Sequence, residues 1–298
     1  MKKVLLLVLL VAFASAKAQL TMPLYPGAIP GAKDRPDQEK SVVNKDGITI
    51  VSKISRPTIT VYQPAKKINK HTAIIIFPGG GYGINALSHE GHDVGKYLAS
   101  KGIVAFVVKY RIPDTTFMTN PETGPLQDAQ QAIGWVRAHA KKYKFRKDRV
   151  GVLGFSAGGH LAATASTHYM NKLVNYKNLR PDFSVLIYPV ISFTDSIGHT
   201  GSRDALLGKN PAPEKIIAYS NELQVNANTP PAFMAHAKDD WVNYKNSVLY
   251  DEALKKNHVR EHLLLFEKGG HGFGMINKSS DIQWPDELMK QLDNLLMR

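Results

Sequence analysis

Cysteine is absent from this 298-residue sequence, and its absence removes several kinds of chemistry. A thiol nucleophile, an iron–sulfur cluster, a cysteine-ligated zinc site and a disulfide are all excluded. Long apolar runs are also missing, because no segment after Phe13 approaches the ~18 consecutive apolar residues that a membrane helix needs. We therefore expect a soluble mature protein with no membrane span.

Acidic residues are in the minority, with 25 Asp and Glu against 38 Lys and Arg and a formal net charge of +13. This balance raises nucleic acid or another acidic surface as a partner. The densest basic run, residues 141–149, is more typical of a solvated helix end than of a binding motif. We therefore expect no nucleic-acid partner, and the sequence does not indicate an oligomeric state.

The first 18 residues have the layout of a secretory signal peptide. A basic start precedes an apolar run from Val4 to Phe13, and small residues follow up to Ala18. We expect cleavage after Ala18, with Ala16 as the alternative, and a secreted or periplasmic mature protein.

Short β-branched runs alternate with longer amphipathic stretches over residues 48–298, which we interpret as one domain. The predicted strands are Ile48–Lys53, Thr58–Tyr62, Ala73–Phe77, Ile103–Val108, Arg149–Leu153, Ser184–Tyr188, Ala232–His236 and His262–Phe266. The predicted helices are His89–Ser100, Leu126–Tyr143, Ala157–Met170, Tyr244–Lys256 and Asp286–Leu296. The pattern predicts an α/β fold with a mostly parallel eight-stranded sheet, helices on both faces, and the first two strands as an antiparallel hairpin.

Two stretches interrupt this alternation. Residues 19–47 are rich in Pro, Gly, Lys and Asp, and we interpret them as a surface arm that leads into the domain. Residues 189–230 contain many Pro and Gly and predict an insertion between the sixth and seventh strands, with one short helix near Glu214–Glu222.

A Gly-x-Ser-x-Gly motif, residues 154–158, lies between a predicted strand and a predicted helix. This pattern in this context predicts a tight turn that presents the hydroxyl of Ser156 at the sheet edge as a nucleophile. The N–H of Ala157 then lies at a helix N-terminus, where it stabilises developing negative charge. The alternative is an ordinary turn with a capping serine.

A serine nucleophile needs a base and an acid, which in this arrangement follow it in the chain. His271 stands among glycines after the last predicted strand, and we expect it to be the base. Asp239 and Asp240 follow the seventh strand, and either has the right position for the acid that orients the histidine.

Glycines 79, 80, 81 and 83 follow the buried strand Ala73–Phe77. The loop has no Gly-Lys-Ser/Thr ending and lacks dinucleotide-binding spacing, so a Walker A loop and a dinucleotide-binding loop are both excluded. We expect the N–H groups of Gly80 and Gly81 to form an oxyanion hole together with Ala157. A flexible loop with packing glycines is the alternative.

Together, Phe77–Tyr82, His89–Gly91, Tyr110–Arg111, Asp128 and Gly154–Ala162 resemble the α/β-hydrolase esterases, and more narrowly bacterial acetylxylan or feruloyl esterases. The likeness covers roughly residues 48–297. It implies hydrolysis of acyl esters on plant polysaccharide without a cofactor. The hydrolase pattern at this point of the chain is His-Gly-x-x-Asp-x-Val, and when His236 and Val242 are matched to it the aspartate is Asp240 rather than Asp239. Pro78 departs from the histidine of lipase-like esterases, which makes lipase activity less expected.

Residues around the predicted site have more than one interpretation. Tyr82 and Trp241 either stack on a sugar ring or pack the loops. Arg111 and Glu90 either hold the oxyanion loop or contact sugar, or else form a structural ion pair. His89 and His92 are possible metal ligands, but a His-Glu-x-x-His motif is missing and we expect no metal.

The expected substrate is an acylated oligosaccharide or polysaccharide, with acetyl as the first acyl group and feruloyl as the second. A serine peptidase on the same fold and a non-catalytic carbohydrate-binding protein are the other functions considered. The net positive charge then fits adhesion to an anionic plant polymer or the cell envelope, or simply solubility.

Overall fold

The computed structural model of the chain describes residues 20–194 and 196–297. The predicted signal peptide, residues 1–18, lies outside the described residues. Within them, no helix is both long and apolar enough to cross a membrane.

Eleven strands and eight α-helices make up the described part of the chain. The strands are β1 Leu20–Pro23, β2 Lys40–Val43, β3 Thr49–Ser52, β4 Thr58–Tyr62, β5 Ala73–Phe77, β6 Ile84–Ala86, β7 Val104–Lys109, β8 Val150–Phe155, β9 Phe183–Ile187, β10 Ala232–Ala237 and β11 Glu261–Phe266. The helices are α1 Asp93–Ser100, α2 Gly124–Ala138, α3 Ala140–Tyr143, α4 Ser156–Thr167, α5 Thr200–Leu207, α6 Pro213–Ala218, α7 Lys245–Lys256 and α8 Trp284–Leu296.

The main sheet has the strand order β1-β4-β7-β5-β8-β9-β10-β11. The pairs from β7 through β11 are parallel, whereas β4 pairs antiparallel with both β1 and β7. The predicted mostly parallel eight-stranded sheet is therefore confirmed. Its parallel strands end at one edge, where residues that follow different strands meet.

Both faces of the sheet are covered, because its central strands are apolar along their whole length. In β5, Ile75 and Phe77 pack into one core with helices α2, α4 and α7, whereas Ile74 and Ile76 pack into the other with α1 and α8. Helices on both faces of the sheet were predicted and are confirmed.

The predicted hairpin between Ile48–Lys53 and Thr58–Tyr62 is wrong. Strand β3 pairs instead with β2 and β6 in a separate three-stranded antiparallel sheet. Both edges of β4 are already occupied, by β1 on one side and β7 on the other, so β4 has no edge left for β3.

The stretch 20–47 is more than a surface arm. It contributes β1 to the main sheet and β2 to the small sheet. Leu24 is fully buried, and the hydroxyl of Tyr25 donates to the Asp128 carboxylate at 2.9 Å. The insertion after β9 contains α5, α6 and the 3₁₀ turn Asn221–Leu223, rather than one short helix.

Candidate active site

Ser156 lies at the turn between β8 and α4 with a φ of +50°, a left-handed conformation that is rare for a residue with a side chain. A Cβ atom on Gly154 would lie 2.0 Å from the carbonyl oxygen of Gly158. A Cβ atom on Gly158 would lie 2.2 Å from the carbonyl oxygen of Phe77. Glycine is therefore required on both sides of the serine, and the strained turn presents its hydroxyl to a cavity.

The structure brings Ser156, Asp240 and His271 together at the carboxyl ends of β8, β10 and β11. The Nε2 atom of His271 lies 2.9 Å from the Oγ atom of Ser156. The Nδ1 atom of the same ring lies 2.9 Å from both carboxylate oxygens of Asp240. An ionised carboxylate only accepts hydrogen bonds, so Nδ1 carries the proton and Nε2 is left free to accept from the serine hydroxyl.

Several donors surround the Asp240 carboxylate, which is largely buried. Burial raises the pKa of this group, but the hydrogen bonds and charges of His236 and His271 outweigh that effect and lower the pKa. The Val242 N–H also donates to Oδ1 at 2.7 Å. Asp240 is therefore held ionised and in a fixed orientation beside the imidazole.

His236 has a role at this site that its position in the sequence did not reveal. Its Nε2 atom lies 3.0 Å from the Val242 carbonyl oxygen and 3.3 Å from Oδ2 of Asp240. Its Nδ1 atom lies 2.8 Å from the hydroxyl of Ser247 on α7. The ring therefore fixes the loop that carries the acid.

Asp239 occupies a different position from its neighbour. Its Oδ1 atom accepts from the N–H groups of Gly269 and Gly270 at 2.9 and 2.8 Å. It thereby ties the end of β10 to the loop that carries His271, and Asp240 alone of the pair is bonded to the imidazole in the described structure.

The glycine loop after β5 has most of its polar groups occupied. The Gly79 N–H donates to the Glu90 carboxylate at 2.7 Å, and the Gly80 carbonyl accepts from the N–H groups of Gly83 and Ile84. Among the described hydrogen bonds, none uses the N–H of Gly80 or Gly81, and both residues line the cavity at Ser156. These two N–H groups are therefore available to a ligand.

Gly80 cannot be replaced without moving this loop. Its φ of +133° and the 2.3 Å between an added Cβ atom and the Ile84 carbonyl oxygen both require glycine. The third predicted donor, the N–H of Ala157, lies in the first turn of α4, where backbone N–H groups have no partner within the helix.

Arg111 and Glu90 do not pair with each other. The Arg111 guanidinium lies 2.8 Å from the Asp128 carboxylate, and both side chains are almost fully buried. Glu90 lines the cavity at Ser156 and binds the glycine loop after β5. Of the alternatives predicted for these residues, the structure favours a structural ion pair for Arg111, with Asp128 as its partner, and a loop-holding contact for Glu90.

Tyr82 does not lie where it could stack on a substrate, so its prediction as a substrate-binding residue is wrong. Its side chain is only 1% exposed. Its hydroxyl lies 2.8 Å from Nδ1 of His160, whose Nε2 atom lies 2.8 Å from the Tyr219 carbonyl oxygen. Tyr82 has a φ of +61°, its side chain points into the core, and its hydrogen bond to His160 holds the glycine loop in place.

Trp241 is on the surface of the site. Its side chain is 66% exposed, and its ring centroid lies 4.4 Å from that of His271. His199, from the insertion, supports the indole at 5.1 Å. An exposed aromatic face beside His271 remains a candidate platform for substrate.

Comparison with known proteins identifies the family of this chain. The BD-FAE family profile matches residues 59–254, which is more than half of the chain. The chain belongs to the BD-FAE family. The matched range contains Ser156 and Asp240 and ends before His271.

Relatives of this BD-FAE protein have names that refer to esters and xylan. It is 35% identical over 229 residues to the acetylxylan esterase of Xylanibacter ruminicola, covering 75% of this chain and 45% of the relative. It is 33% identical over 221 residues to endo-1,4-beta-xylanase B of Butyrivibrio fibrisolvens, covering 72% and 34%. The chain thus spans less than half the length of these curated relatives.

A solved structure matches nearly the whole BD-FAE chain. The acetyl ester-xyloside bifunctional hydrolase from Caldicellulosiruptor lactoaceticus is 35% identical and superposes with a TM-score of 0.73. The match covers 92% of this chain and 94% of that one. The predicted α/β-hydrolase fold is confirmed.

The cavity at Ser156 in the BD-FAE chain has a volume of about 480 Å³. Its lining is mostly apolar and includes four residues from the small sheet and the loop between its strands β2 and β3, here called the apolar wall: Asn44, Ile48, Ile50 and Ala86. Gly80, Gly81, Trp241 and His271 also line the cavity. Three of these wall residues precede the range that the family profile matches. Sequence reasoning missed this wall because strand β3 was assigned to a different pairing.

Proposed function

We propose that this protein is an exported serine carboxylic ester hydrolase that removes acyl groups, acetyl foremost, from plant polysaccharide such as xylan. The observation that carries the proposal is the hydrogen-bonded series Ser156–His271–Asp240, with each step at 2.9 Å. The names of the relatives, an acetylxylan esterase and an acetyl ester-xyloside hydrolase, support the choice of ester.

The first half of the reaction forms an acyl-enzyme. Ser156 Oγ attacks the ester carbonyl while His271 Nε2 takes its proton. The imidazolium that results is stabilised by Asp240, which accepts the hydrogen bond from Nδ1. The bond between the carbonyl carbon and the sugar oxygen then breaks as His271 gives its proton to that oxygen, so the sugar leaves as an alcohol and the acyl group remains on the serine.

Water completes the second half. His271 removes a proton from the attacking water, the tetrahedral intermediate collapses, and the carboxylic acid leaves as Ser156 regains its proton. Each step uses groups of this chain and water, so the proposed reaction needs no cofactor.

The developing oxyanion is bound by backbone donors. Ala157 N–H lies next to the nucleophile at the start of α4, and the N–H groups of Gly80 and Gly81 have no other acceptor in the described hydrogen bonds. One such donor contributes on the order of 3 kcal/mol to the transition state.

The sugar side of the ester is expected to meet the open part of the cavity. Trp241 offers an exposed aromatic face, and Ile48 and Ile50 offer an apolar wall. Sugar rings have apolar faces that pack on such surfaces, and aromatic side chains provide them at low entropic cost.

Release of the acyl group from natural polymers tests the substrate assignment. We expect wild-type protein to release acetate from acetylated xylan, whereas the matched variant Ser156→Ala releases none. Release of ferulate from feruloylated xylan, with little acetate from acetylated xylan, would show that the acyl group removed is feruloyl rather than acetyl. Amino-terminal sequencing of protein exported by its host tests export, and we expect Gln19 as the first residue.

A further inference from the structure

Glu90 connects two loops of the catalytic site that are distant in the sequence. Its Oε2 atom accepts from the Gly79 N–H at 2.7 Å, and its Oε1 atom accepts from the Tyr188 hydroxyl at 2.7 Å. The Tyr188 hydroxyl in turn accepts from the Gly274 N–H at 3.1 Å. Gly79 begins the oxyanion loop, whereas Gly274 lies three residues after His271.

The connection is buried and closely packed. Glu90 is 4% exposed and Tyr188 is fully buried. A Cβ atom on Gly79 would lie 2.6 Å from Oε2 of Glu90, so the carboxylate fits directly against the backbone of the loop. A buried donor without an acceptor costs free energy of folding. The Gly79 N–H and the Tyr188 hydroxyl therefore both depend on the Glu90 carboxylate.

The backbone of Tyr188 is strained, and its ring contacts the loop of His271. Its φ is +37°, and a residue with a large side chain adopts this conformation only where the surroundings enforce it. Its ring lies 4.9 Å from the ring of His271 and 4.6 Å from that of Phe273. Tyr188 therefore supports the imidazole with its ring and the end of the histidine loop with its hydroxyl.

We propose that Glu90 is a positioning residue that, through Tyr188, sets the oxyanion loop in register with the loop of His271. The donors that bind the oxyanion and the base that moves the proton must act on one carbonyl group at the same time. The two loops are distant in the sequence, and the network Gly79–Glu90–Tyr188–Gly274 is a direct polar link between them.

The proposal rests on the proposed esterase function and deepens it, so its test measures both. In Glu90→Gln the amide has the same size, but one end becomes a donor, and one donor of the network loses its acceptor. Tyr188→Phe removes only the hydroxyl. Tyr250→Phe is the matched control, because it removes another buried tyrosine hydroxyl, one without a partner in the described chain.

Steady-state kinetics with p-nitrophenyl acetate are the readout, together with thermal unfolding. We expect each of Glu90→Gln and Tyr188→Phe to lower kcat by about 10- to 100-fold with little change in KM, because a small displacement of reacting groups has an effect of this size. The double variant should be no slower than the slower single variant. Tyr250→Phe should keep the wild-type kcat.

Two results overturn the proposal. Folded variants with wild-type kcat and a lowered melting temperature would show that Glu90 has a structural role only. Losses of kcat that multiply in the double variant would show that Glu90 and Tyr188 act independently of each other. If Glu90→Gln does not fold, Tyr188→Phe and its control decide alone. Absence of Ser156-dependent turnover in the wild type would instead refute the proposed function itself.

Discussion

The Nε2 atom of His271 lies 2.9 Å from the Oγ atom of Ser156, although 115 positions separate the two residues in the chain. Each follows a parallel strand of the same sheet, β11 and β8, so the fold brings their loops to one edge. The distance is that of a hydrogen bond along which the serine proton can move to the imidazole.

This relationship predicts that the two residues act as a unit. We expect Ser156→Ala and His271→Ala to lose similar activity, with kcat reduced by about 10⁴- to 10⁶-fold. The double variant should lose little more, because either change alone already disables the attack. Assays of p-nitrophenyl acetate hydrolysis check this, and multiplicative losses would contradict a shared step.

The two neighbouring aspartates should respond differently to the same change. Asp240→Asn should lower kcat by about 10⁴-fold, since an amide in place of the carboxylate stabilises the wrong tautomer of His271. Asp239→Asn keeps an oxygen that accepts from Gly269 and Gly270, and we expect a less than about 10-fold effect. The same assay measures both, and the reverse order would assign the acid to Asp239.

Substitutions at Tyr82 and Trp241 should change different properties, the first lowering stability and the second weakening substrate binding. Tyr82→Phe removes the hydroxyl bonded to His160 in the core, and we expect it to lower the free energy of unfolding by about 1–3 kcal/mol with KM unchanged. Urea denaturation and steady-state kinetics check this. A raised KM for acetylated xylo-oligosaccharide without loss of stability would return Tyr82 to the substrate surface.

Trp241→Ala should show the opposite behaviour. We expect the contact of its exposed indole with a sugar ring to contribute about 0.5–1.5 kcal/mol, the magnitude known for pairs of aromatic rings, which corresponds to a rise in KM of about 2- to 10-fold. We expect that rise for acetylated xylo-oligosaccharide and none for ethyl acetate, whose alcohol has no ring. An equal effect on both esters would mean that the indole acts on His271 rather than on sugar.

The burial of His160 should make the free energy of unfolding depend on pH. Burial lowers its pKa to about 3, well below the value of ~6.5 in an unfolded chain. As the pH falls below ~6.5, the unfolded chain binds a proton that the folded chain does not, and the free energy of unfolding decreases by about 1.4 kcal/mol per pH unit for this one group. In His160→Gln that contribution should vanish, and urea denaturation between pH 6 and pH 4 measures the slope. Equal slopes in both proteins would contradict it.

Local patterns were sufficient to predict that Ser156, Asp240 and His271 come together, and to predict the parallel sheet. The glycines around Ser156 and His271 mark loops of unusual conformation, and such requirements act over a few residues. The position of Asp240 relative to His236 and Val242 likewise depends on one short loop. The parallel strands were predictable because each is a separate apolar run followed by a helix.

Features that depend on distant contacts were not predictable in the same way. The pairing of β3 depends on which strand occupies the edge of β4, and that strand is β1, which lies in a stretch without clear periodicity. The inward direction of Tyr82 depends on a partner 78 residues away. The link from Glu90 to Tyr188 spans 98 positions and leaves no local pattern.

The turnover of p-nitrophenyl acetate by wild-type protein and by Ser156→Ala tests the central claim most directly. Ser166→Ala is the matched control, because it removes a buried serine hydroxyl from the same helix outside the site. We expect rapid hydrolysis by the wild type and the control, and loss of activity in Ser156→Ala. No turnover by the wild type, or wild-type turnover by Ser156→Ala, would contradict the assignment of this protein as a serine esterase.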